Sequence, residues 1–414
     1  MNPRIPLRRT RSRAAAVVAL LLTALTALAA LTACGSGSSP AGPDCPAAPG
    51  VTSNRVTFGL LFPSSGADAA TFSPYRSGVD ARLGVANAKG GVFGRQIDYV
   101  RGDDQGNAAR NLAEATNLVT EQHVFAIQEL SSASGGSAAW LHGQLVPVVG
   151  AGNDPVWNRY PNMFSYLNIF SDRGSVSTWG DYARKQGSRK VAVLSARDAA
   201  SAALAREFQA SMSSAGIAVA PLTVDPDTAD LARLDQTIAA TGADTVFSAF
   251  NPDENTRVAR GIRAALPAMR LMSVLGDDQS VLAAGRQLAG MSLFTSYRPF
   301  ETPVPAHRPF LSAMALYAPE QKHAASEVAL AGWVDTDLML RGIQAAGRCP
   351  TRASFTRNLR AVPDYSADGL LPRPVDLRTV ADKVTPCFYF LTISGDGKRL
   401  VPAGNSPLCG RSVG

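Results

Sequence analysis

The chain reads VTFGLLFPSSGADAATFSPYRSGVDARLGVANAKGGVFGRQIDYVRGDDQGNAARNLAEATNLV between Val56 and Val119, and this stretch repeats one pattern twice. An apolar run at 55–62 ends at Pro-Ser-Ser-Gly, which is typical of a buried strand. A helical pattern follows at 74–89, with Pro near its start and Gly-Gly at its end. A second strand at 96–101 and a second helix at 107–121 complete the repeat. Strands that alternate with helices predict a parallel sheet covered on both faces.

The alternation continues and then starts again further along the chain. A second series of strands and helices begins after residue 167, and a long helical pattern at 327–346 follows it. Gly395-Asp396-Gly397 separates two apolar runs, which indicates a hairpin. Two such series predict an α/β fold of two doubly wound, Rossmann-like lobes.

The first 33 residues have the composition of a secretory signal. Residues 1–13 are basic, residues 14–33 are almost wholly apolar, and the segment ends in Leu31-Thr32-Ala33-Cys34. This boundary resembles that of a bacterial lipoprotein signal, which implies cleavage before Cys34 and lipidation of its sulfur. The alternative is a transmembrane anchor, because twenty apolar residues could just span a bilayer. The abundance of Ala and Thr argues against it.

Residues 34–53 are rich in Gly, Ser, Pro and Ala, so they predict a lipidated, flexible tether. Five arginines lie within residues 1–33, which hold no Lys, Asp or Glu, so most of the net charge of +7 belongs to the signal. The remaining body is close to neutral. This balance argues against nucleic acid as a partner.

The sequence contains none of the motifs that carry common catalytic chemistry. We find no nucleophile elbow, no zinc-protease motif, no phosphate-binding loop and no dinucleotide fingerprint. The four histidines are scattered, with no metal-ligand spacing. The Asp103-Asp104 pair follows a strand and precedes a helix, so we interpret it as helix capping rather than as an acid and a base. The sequence therefore predicts a protein that is not an enzyme and needs no cofactor or metal.

Three stretches resemble a known family. They are the 56–119 segment, VPVVGAGNDPVWNRYPNMFSYLN at 146–168, and AGWVDTDLMLRGIQAAGRCPTRASFTRNLRAVPDYSADGLLPRPVDL at 331–377. Their order and spacing are similar to those of type I periplasmic solute-binding proteins of the leucine/isoleucine/valine-binding group. The resemblance implies two lobes joined by three crossing segments, with a ligand held in the cleft between them. It places lobe 1 at 54–166 plus 298–373, and lobe 2 at 167–297 plus 374–410.

The cysteines support an extracytoplasmic compartment. Besides Cys34 there are four, an even number, which predicts two disulfides with three possible connectivities. The lobe assignment that the resemblance implies favours Cys45–Cys349 and Cys387–Cys409, because each bond then lies within one lobe.

The resemblance also implies ligand-binding positions. Serines at the start of a lobe 1 helix and a neighbouring loop would bind a ligand carboxylate through hydroxyls and free backbone amides. Two tyrosines usual in the family are absent here, so an aliphatic amino acid cannot be assumed as the ligand. Several of these positions could equally serve capping or packing. The candidates are Thr71, Phe72, Ser131, Ser132, Asn153, Asp154, Phe250, Asn251 and Asp277, with Asp278 as the alternative to the last.

The family resemblance implies a function as well. It predicts an extracytoplasmic lipoprotein, anchored in the bacterial cell membrane, that captures an amino acid, an amide or a related small molecule by hinge closure. Its partners would be the permease and ATPase of an ABC importer. The alternative keeps the fold but assigns a ligand-sensing role that is not coupled to transport.

Overall fold

The computed structural model describes residues 45–66, 68–170, 174–226, 231–276, 278–379 and 384–414. Met1–Pro46 and Ala47–Gly414 form separate units. The predicted signal, the predicted lipidation site Cys34 and residues 34–44 of the predicted tether lie outside the described residues. Within the described part of the chain, no helix is long and apolar enough to cross a membrane.

The elements are numbered in chain order. The first group is β1 (Arg55–Phe62), α1 (Ala69–Ala88), β2 (Gln96–Asp103), α2 (Ala108–Thr120), β3 (Ile127–Glu129), α3 (Ala138–Gly143), β4 (Val148–Val149) and β5 (Met163–Phe164). The second group is β6 (Ser175–Val176), α4 (Thr178–Lys185), β7 (Lys190–Ser195), α5 (Ala199–Ser214), β8 (Ala218–Thr223), α6 (Leu231–Thr241), β9 (Thr245–Ser248), α7 (Pro252–Ala265), β10 (Arg270–Val274), α8 (Asp278–Ala283) and β11 (Ser292–Thr295). The third group is α9 (His307–Tyr317), α10 (Glu327–Ala346), α11 (Arg352–Arg360), β12 (Cys387–Ile393), β13 (Leu400–Pro402), β14 (Leu408–Cys409) and β15 (Ser412–Val413).

Lobe 1 is the part of the molecule built on the first sheet. Its five strands lie in the order β2-β1-β3-β4-β5, and every neighbouring pair is parallel. Helices α1, α9, α10 and α11 pack on one face, where they enclose a core that includes Phe58, Tyr75 and Phe310. Helices α2 and α3 cover the other face around Leu118 and Leu141. Burial of both faces explains the apolar character of β1.

Lobe 2 is built on the second sheet, whose strands lie in the order β13-β12-β11-β10-β9-β7-β8. The neighbouring strands β11, β10, β9, β7 and β8 are parallel to one another. Strands β12 and β13 are antiparallel and lie at one edge of the sheet. Two cores lie on its two faces, one around Trp179 and Phe208 and the other around Ile238 and Leu293. The prediction of a two-lobed α/β fold is therefore confirmed.

The chain passes between the two sheets three times, after β5, after β11 and before β12. The three passages are hydrogen-bonded to one another: the Thr385 N–H donates to Asn168 O over 2.6 Å, and the Arg298 N–H donates to Leu370 O over 2.8 Å. Because these are the covalent connections between lobes with separate cores, they are the segments about which the lobes can turn.

Helix α1 begins earlier than the sequence predicts. We expected it to start at Pro74, but it starts at Ala69 and Pro74 lies inside it. Proline lacks the N–H that would bond to the carbonyl four residues earlier. The Ser73 hydroxyl donates to that carbonyl, Ala70 O, over 3.3 Å. The hydroxyl therefore gives Ala70 O a hydrogen-bond donor in place of the missing proline N–H.

All four cysteines that the structure describes are disulfide-bonded. Cys387 and Cys409 form a disulfide between the adjacent strands β12 and β14. Cys45 and Cys349 are each disulfide-bonded as well. Their pairing with each other stays a prediction.

The contact between α1 and α10 depends on two glycines. A Cβ atom added to Gly78 would lie 1.8 Å from Ala329 O, and one added to Gly332 would lie 2.0 Å from Tyr75 O. Both distances are far below any real Cβ contact. The two backbones therefore approach as closely as they do only because both positions lack a side chain.

We expect Gly332→Ala to destabilise the protein by about 1–3 kcal/mol or more, because the added methyl group must push α10 away from α1. Gly261→Ala is the matched control: it lies in α7, is exposed, and its Cβ would meet nothing within 4 Å. That change should stabilise the protein by up to about 1 kcal/mol. Urea unfolding measures both. Equal effects of the two substitutions would contradict the close approach.

Candidate functional site

Loops at the carboxyl ends of the parallel strands meet between the lobes. The Thr71 hydroxyl, at the start of α1 in lobe 1, donates to Asp253 in lobe 2. Asn251 Nδ2 in lobe 2 donates to Asp68 Oδ1 in lobe 1 over 3.3 Å. These bonds join residues more than 180 positions apart in the chain. They bring two predicted site residues, Thr71 and Asn251, to the same interlobe surface.

Asn251 also has a structural function. Helix α7 starts at Pro252 with Asn251 as its N-cap. The Asn251 side-chain oxygen accepts from the Glu254 N–H over 2.9 Å, and the Glu254 carboxylate accepts from the Asn251 N–H in return. This capping box occupies the oxygen and leaves the amide NH₂ to face lobe 1.

The two predicted aromatic site residues lie in the cores. Phe72 is buried in the lobe 1 core and Phe250 in the lobe 2 core. Their side chains contribute to packing, so their ligand contacts stay a prediction. Ser132 is exposed, and Asn153 is partly buried. Asp277 lies outside the described residues, and the alternative Asp278 is the first residue of α8.

Ser131 belongs to a buried polar cluster below the cleft. Its hydroxyl donates to Asp104, and Asn111 Nδ2 donates to both Asp104 and Glu129 over 2.9 and 2.7 Å. All four side chains are fully buried. Burial raises the pKa of Glu129 to about 8, against the lowering effect of the Asn111 bond. The cluster fixes the loop after β3 in place, and the ligand contact of Ser131 stays a prediction.

The interpretation of Asp103 and Asp104 as helix caps is wrong. Asn107 caps α2, because its side chain accepts from the Ala109 and Arg110 N–H groups. Asp103 instead accepts from the backbone N–H groups of Ser64 and Ser65, which joins the loops after β1 and β2. Burial alone would raise the pKa of Asp103, but these hydrogen bonds and that of the Ser65 hydroxyl lower it overall.

Asp154 connects two loops of lobe 1. Its Oδ2 accepts from the Gly135 N–H over 3.1 Å, and its Oδ1 accepts from the Val156 N–H over 2.8 Å. Burial raises the pKa of Asp154, although both bonds oppose this effect. The carboxylate is therefore held between the loops that follow β3 and β4.

A cavity of about 620 Å³ lies between these loops and helix α5 of lobe 2. This volume is in the range of small-molecule sites. Six of its lining residues are Gly135, Asp154, Arg159, Ala199, Arg206 and Glu207. Of the eight predicted site residues that the structure describes, Asp154 lines the cavity and the other seven do not.

The sequence did not predict a role for Asp68 or Asp253, which bond to Asn251 and Thr71 between the lobes. It also did not predict that residues of α5 line the cavity. Asp253 follows Asn251 by two residues and lies in the first turn of α7, the helix that comes after β9, so its place just beyond a strand end was the available signal. Nothing in the sequence links it to Thr71, because that contact depends on how the lobes face each other.

A second buried network lies where the lobes connect. Tyr75 OH donates to Asp335 Oδ2 over 2.6 Å, and the hydroxyls of Tyr166 and Tyr297 lie 2.6 Å apart. Tyr166 lies in the first passage between the lobes and Tyr297 in the second. Burial raises the pKa of Asp335 to about 7, although hydrogen bonds from Tyr75 and Tyr166 lower it.

Among the described residues, no group of three or more His, Cys, Asp or Glu is placed to hold a metal ion.

Comparison with known proteins decides the family. The model of the family described as "Periplasmic binding protein" matches residues 55–398, which is most of the chain. This protein belongs to the periplasmic binding protein family. Its members bind solutes outside the cytoplasm for ABC transporters, so the chain is a solute-binding protein and not an enzyme.

Individual relatives agree with this assignment. A protein of Brucella abortus (strain 2308) named "Leu/Ile/Val-binding protein homolog 2" is 33% identical over 86 residues, which cover 21% of this chain. The match spans only 23% of that relative's length.

Two solved structures share the fold. A solute-binding protein of Rhodopseudomonas palustris HaA2, in complex with p-hydroxybenzoic acid, has a TM-score of 0.73 at 19% identity and covers 87% of this chain and 98% of its own. A leucine-binding protein of Thermotoga maritima MSB8 has a TM-score of 0.71 at 17% identity, with coverages of 84% and 97%. These identities support a common fold only.

The buried Asp335 makes stability depend on pH. Its ordinary pKa is 3.8, and in the folded protein it is about 7. Between pH 4 and pH 7 the folded protein therefore binds a proton at Asp335 that the unfolded chain has released. The stabilisation of the folded state by this proton is full at low pH, and it declines as the pH rises from about 4 to about 7. The maximum slope is about 1.4 kcal/mol per pH unit for one proton.

We expect Asp335→Asn to remove this part of the pH dependence, since asparagine resembles the protonated acid. Denaturant unfolding at pH 4.5 and pH 7 measures the difference. Glu121→Gln, on the surface at the end of α2, is the control and should keep the wild-type dependence. An unchanged pH dependence in Asp335→Asn would show that Asp335 does not titrate in this range.

Proposed function

We propose that this protein captures a small solute between its lobes and delivers it to an ABC importer from the outer face of the cell membrane. The observation that carries the proposal is the meeting of the two lobes beside a cavity of about 620 Å³. Loops from the carboxyl ends of both sheets line the interlobe surface, and such edges are where α/β folds bind ligands.

Hinge closure is the proposed mechanism of capture. The Thr71–Asp253 and Asn251–Asp68 bonds connect residues of different lobes, so they exist only when the lobes are together. Each lobe has its own cores, which lets it turn as a rigid body about the three passages. A solute that contacts both lobes would favour the closed arrangement by its differential affinity.

The proposed ligands are amino acids, amides and related small molecules. One structural neighbour is a leucine-binding protein, and another was solved in complex with p-hydroxybenzoic acid. Both molecules would fit within the volume of the cavity. Phe72 and Phe250 pack in the cores, so we assign the cavity residue Asp154 to the solute, and Thr71 and Asn251 to the bonds that hold the closed arrangement.

The proposed location follows from the N-terminal sequence. Residues 1–33 would direct export, and lipidation of Cys34 would hold the protein at the membrane through the tether at 34–53. Two or three acyl chains are enough for stable anchoring, whereas one is not. The anchor would keep the protein close to its permease partner.

Thermal unfolding of the purified protein against a panel of amino acids, amides and small aromatic acids tests capture. A solute at about one hundred times its Kd should stabilise the protein by about 2.7 kcal/mol. Thr71→Val should weaken that solute's affinity by about two- to tenfold, because it removes one hydrogen bond of the closed arrangement. Thr237→Val, an exposed change in α6, should leave affinity unchanged. If no solute of the panel shifts the transition, capture is contradicted.

The lipid anchor has a separate test. Cys34→Ser removes the sulfur that would carry the lipid, so the variant should move from the membrane fraction to the soluble extracytoplasmic fraction. Ser36→Ala, two residues away, should stay in the membrane fraction. Immunoblots of fractionated cells measure this distribution. Retention of Cys34→Ser in the membrane fraction would refute lipidation as the anchor.

A further inference from the structure

Four backbone N–H groups of the loop after β3 are bonded within the protein. The Ala133 N–H donates to Ser131 Oγ over 3.0 Å, and the Ser137 N–H donates to Asn111 Oδ1 over 3.1 Å. The Gly136 N–H donates to Ala133 O over 2.9 Å. The Gly135 N–H donates to the Asp154 carboxylate. These four amides are therefore not free to bind a solute carboxylate.

Asp154 is the group that this loop presents to the cavity. One carboxylate spans both loops, since Oδ2 bonds to Gly135 and Oδ1 to Val156. A carboxylate has about four acceptor positions, so each oxygen can accept a further bond. Asp154 is only partly buried and lines the cavity together with Gly135. The lobe 1 wall at this place is a hydrogen-bond acceptor with negative charge.

The charges around Asp154 come from both lobes. Asp198 of lobe 2, which caps α5 by accepting from the Ser201 N–H over 2.8 Å, interacts unfavourably with Asp154 and raises its pKa further. Arg159 has the opposite effect. Arg159 and Arg206 are exposed at the cavity, and the carboxyl group of Glu207 is buried there. Closure thus brings the Asp198 carboxylate towards Asp154, and a positive or N–H-bearing group between them would favour closure.

We propose that Asp154 determines the ligand class of the interlobe cavity by accepting a hydrogen bond from an ammonium or amide N–H group of the solute. The inference rests on the proposed solute capture and makes it more specific. Amides, amines and amino acids bound through their amino end satisfy this site. A solute that places a bare carboxylate against Asp154 is rejected, because two like charges would be buried together. The exposed arginines remain available to an acidic group at the other end of the solute.

Matched pairs of probes test the assignment by calorimetric titration. The pairs are 4-hydroxybenzamide against 4-hydroxybenzoate, and leucinamide against 4-methylpentanoate. Within a pair that binds, the N–H-bearing probe should bind wild-type protein at least tenfold more tightly, since a hydrogen bond to a charged group has about this effect. In Asp154→Asn this preference should fall to about threefold or less, and the carboxylate probe should gain affinity.

The control is Asp364→Asn, which removes one exposed carboxylate elsewhere and should keep the wild-type preference. Asp154→Glu retains the charge, so it should still disfavour the carboxylate probes even if Asp154→Asn fails to fold. Tighter binding of a carboxylate than of its amide by the wild type would overturn the assignment of Asp154 and leave solute capture intact. A preference unchanged in Asp154→Asn would overturn it as well. Failure of every solute of the broader panel would instead overturn the proposed function.

Discussion

Parallel strands place all their carboxyl ends at one edge of a sheet, and the rest of this molecule depends on that constraint. Both lobes are built on parallel strands, so each has one edge where its loops and helix N-termini collect. In lobe 1 this edge carries Asp68, Thr71 and Asp154, and in lobe 2 it carries Asn251 and Asp253. Polar groups that are distant in sequence meet there because the two edges face each other.

Close helix packing and buried hydrogen bonds hold the elements behind these edges in position. Gly78 and Gly332 let α1 and α10 come into backbone contact, which sets the position of Thr71 at the start of α1. Buried acids fix the loops: Asp104 and Glu129 below Ser131, and Asp335 beside the passages that hold Tyr166 and Tyr297. The cost of burying these carboxyl groups appears as raised pKa values at Glu129 and Asp335. Polar networks thus position the cleft, while separate apolar cores keep each lobe rigid.

The fold was predictable because its signals are local. The pattern at 327–346 matches α10 residue for residue, and Gly395-Asp396-Gly397 marks the β12–β13 hairpin. The start of α1 was less predictable: the helix begins five residues before Pro74, and the Ser73 hydroxyl bonds to the carbonyl that has no proline N–H to accept from. The site was predictable only in part. The family resemblance could name Asp154, but its bond to Gly135 and the contact between Thr71 and Asp253 depend on long-range packing that no local pattern encodes.

Capture between two closing lobes is the central claim, and a change in shape on binding tests it most directly. Small-angle X-ray scattering of the purified protein, without solute and saturated with a solute identified by thermal unfolding, measures the radius of gyration of both states. The account predicts a smaller radius in the saturated protein, because the solute favours the arrangement in which Thr71 and Asp253 are bonded. An unchanged radius with saturated binding would contradict capture by closure of the lobes.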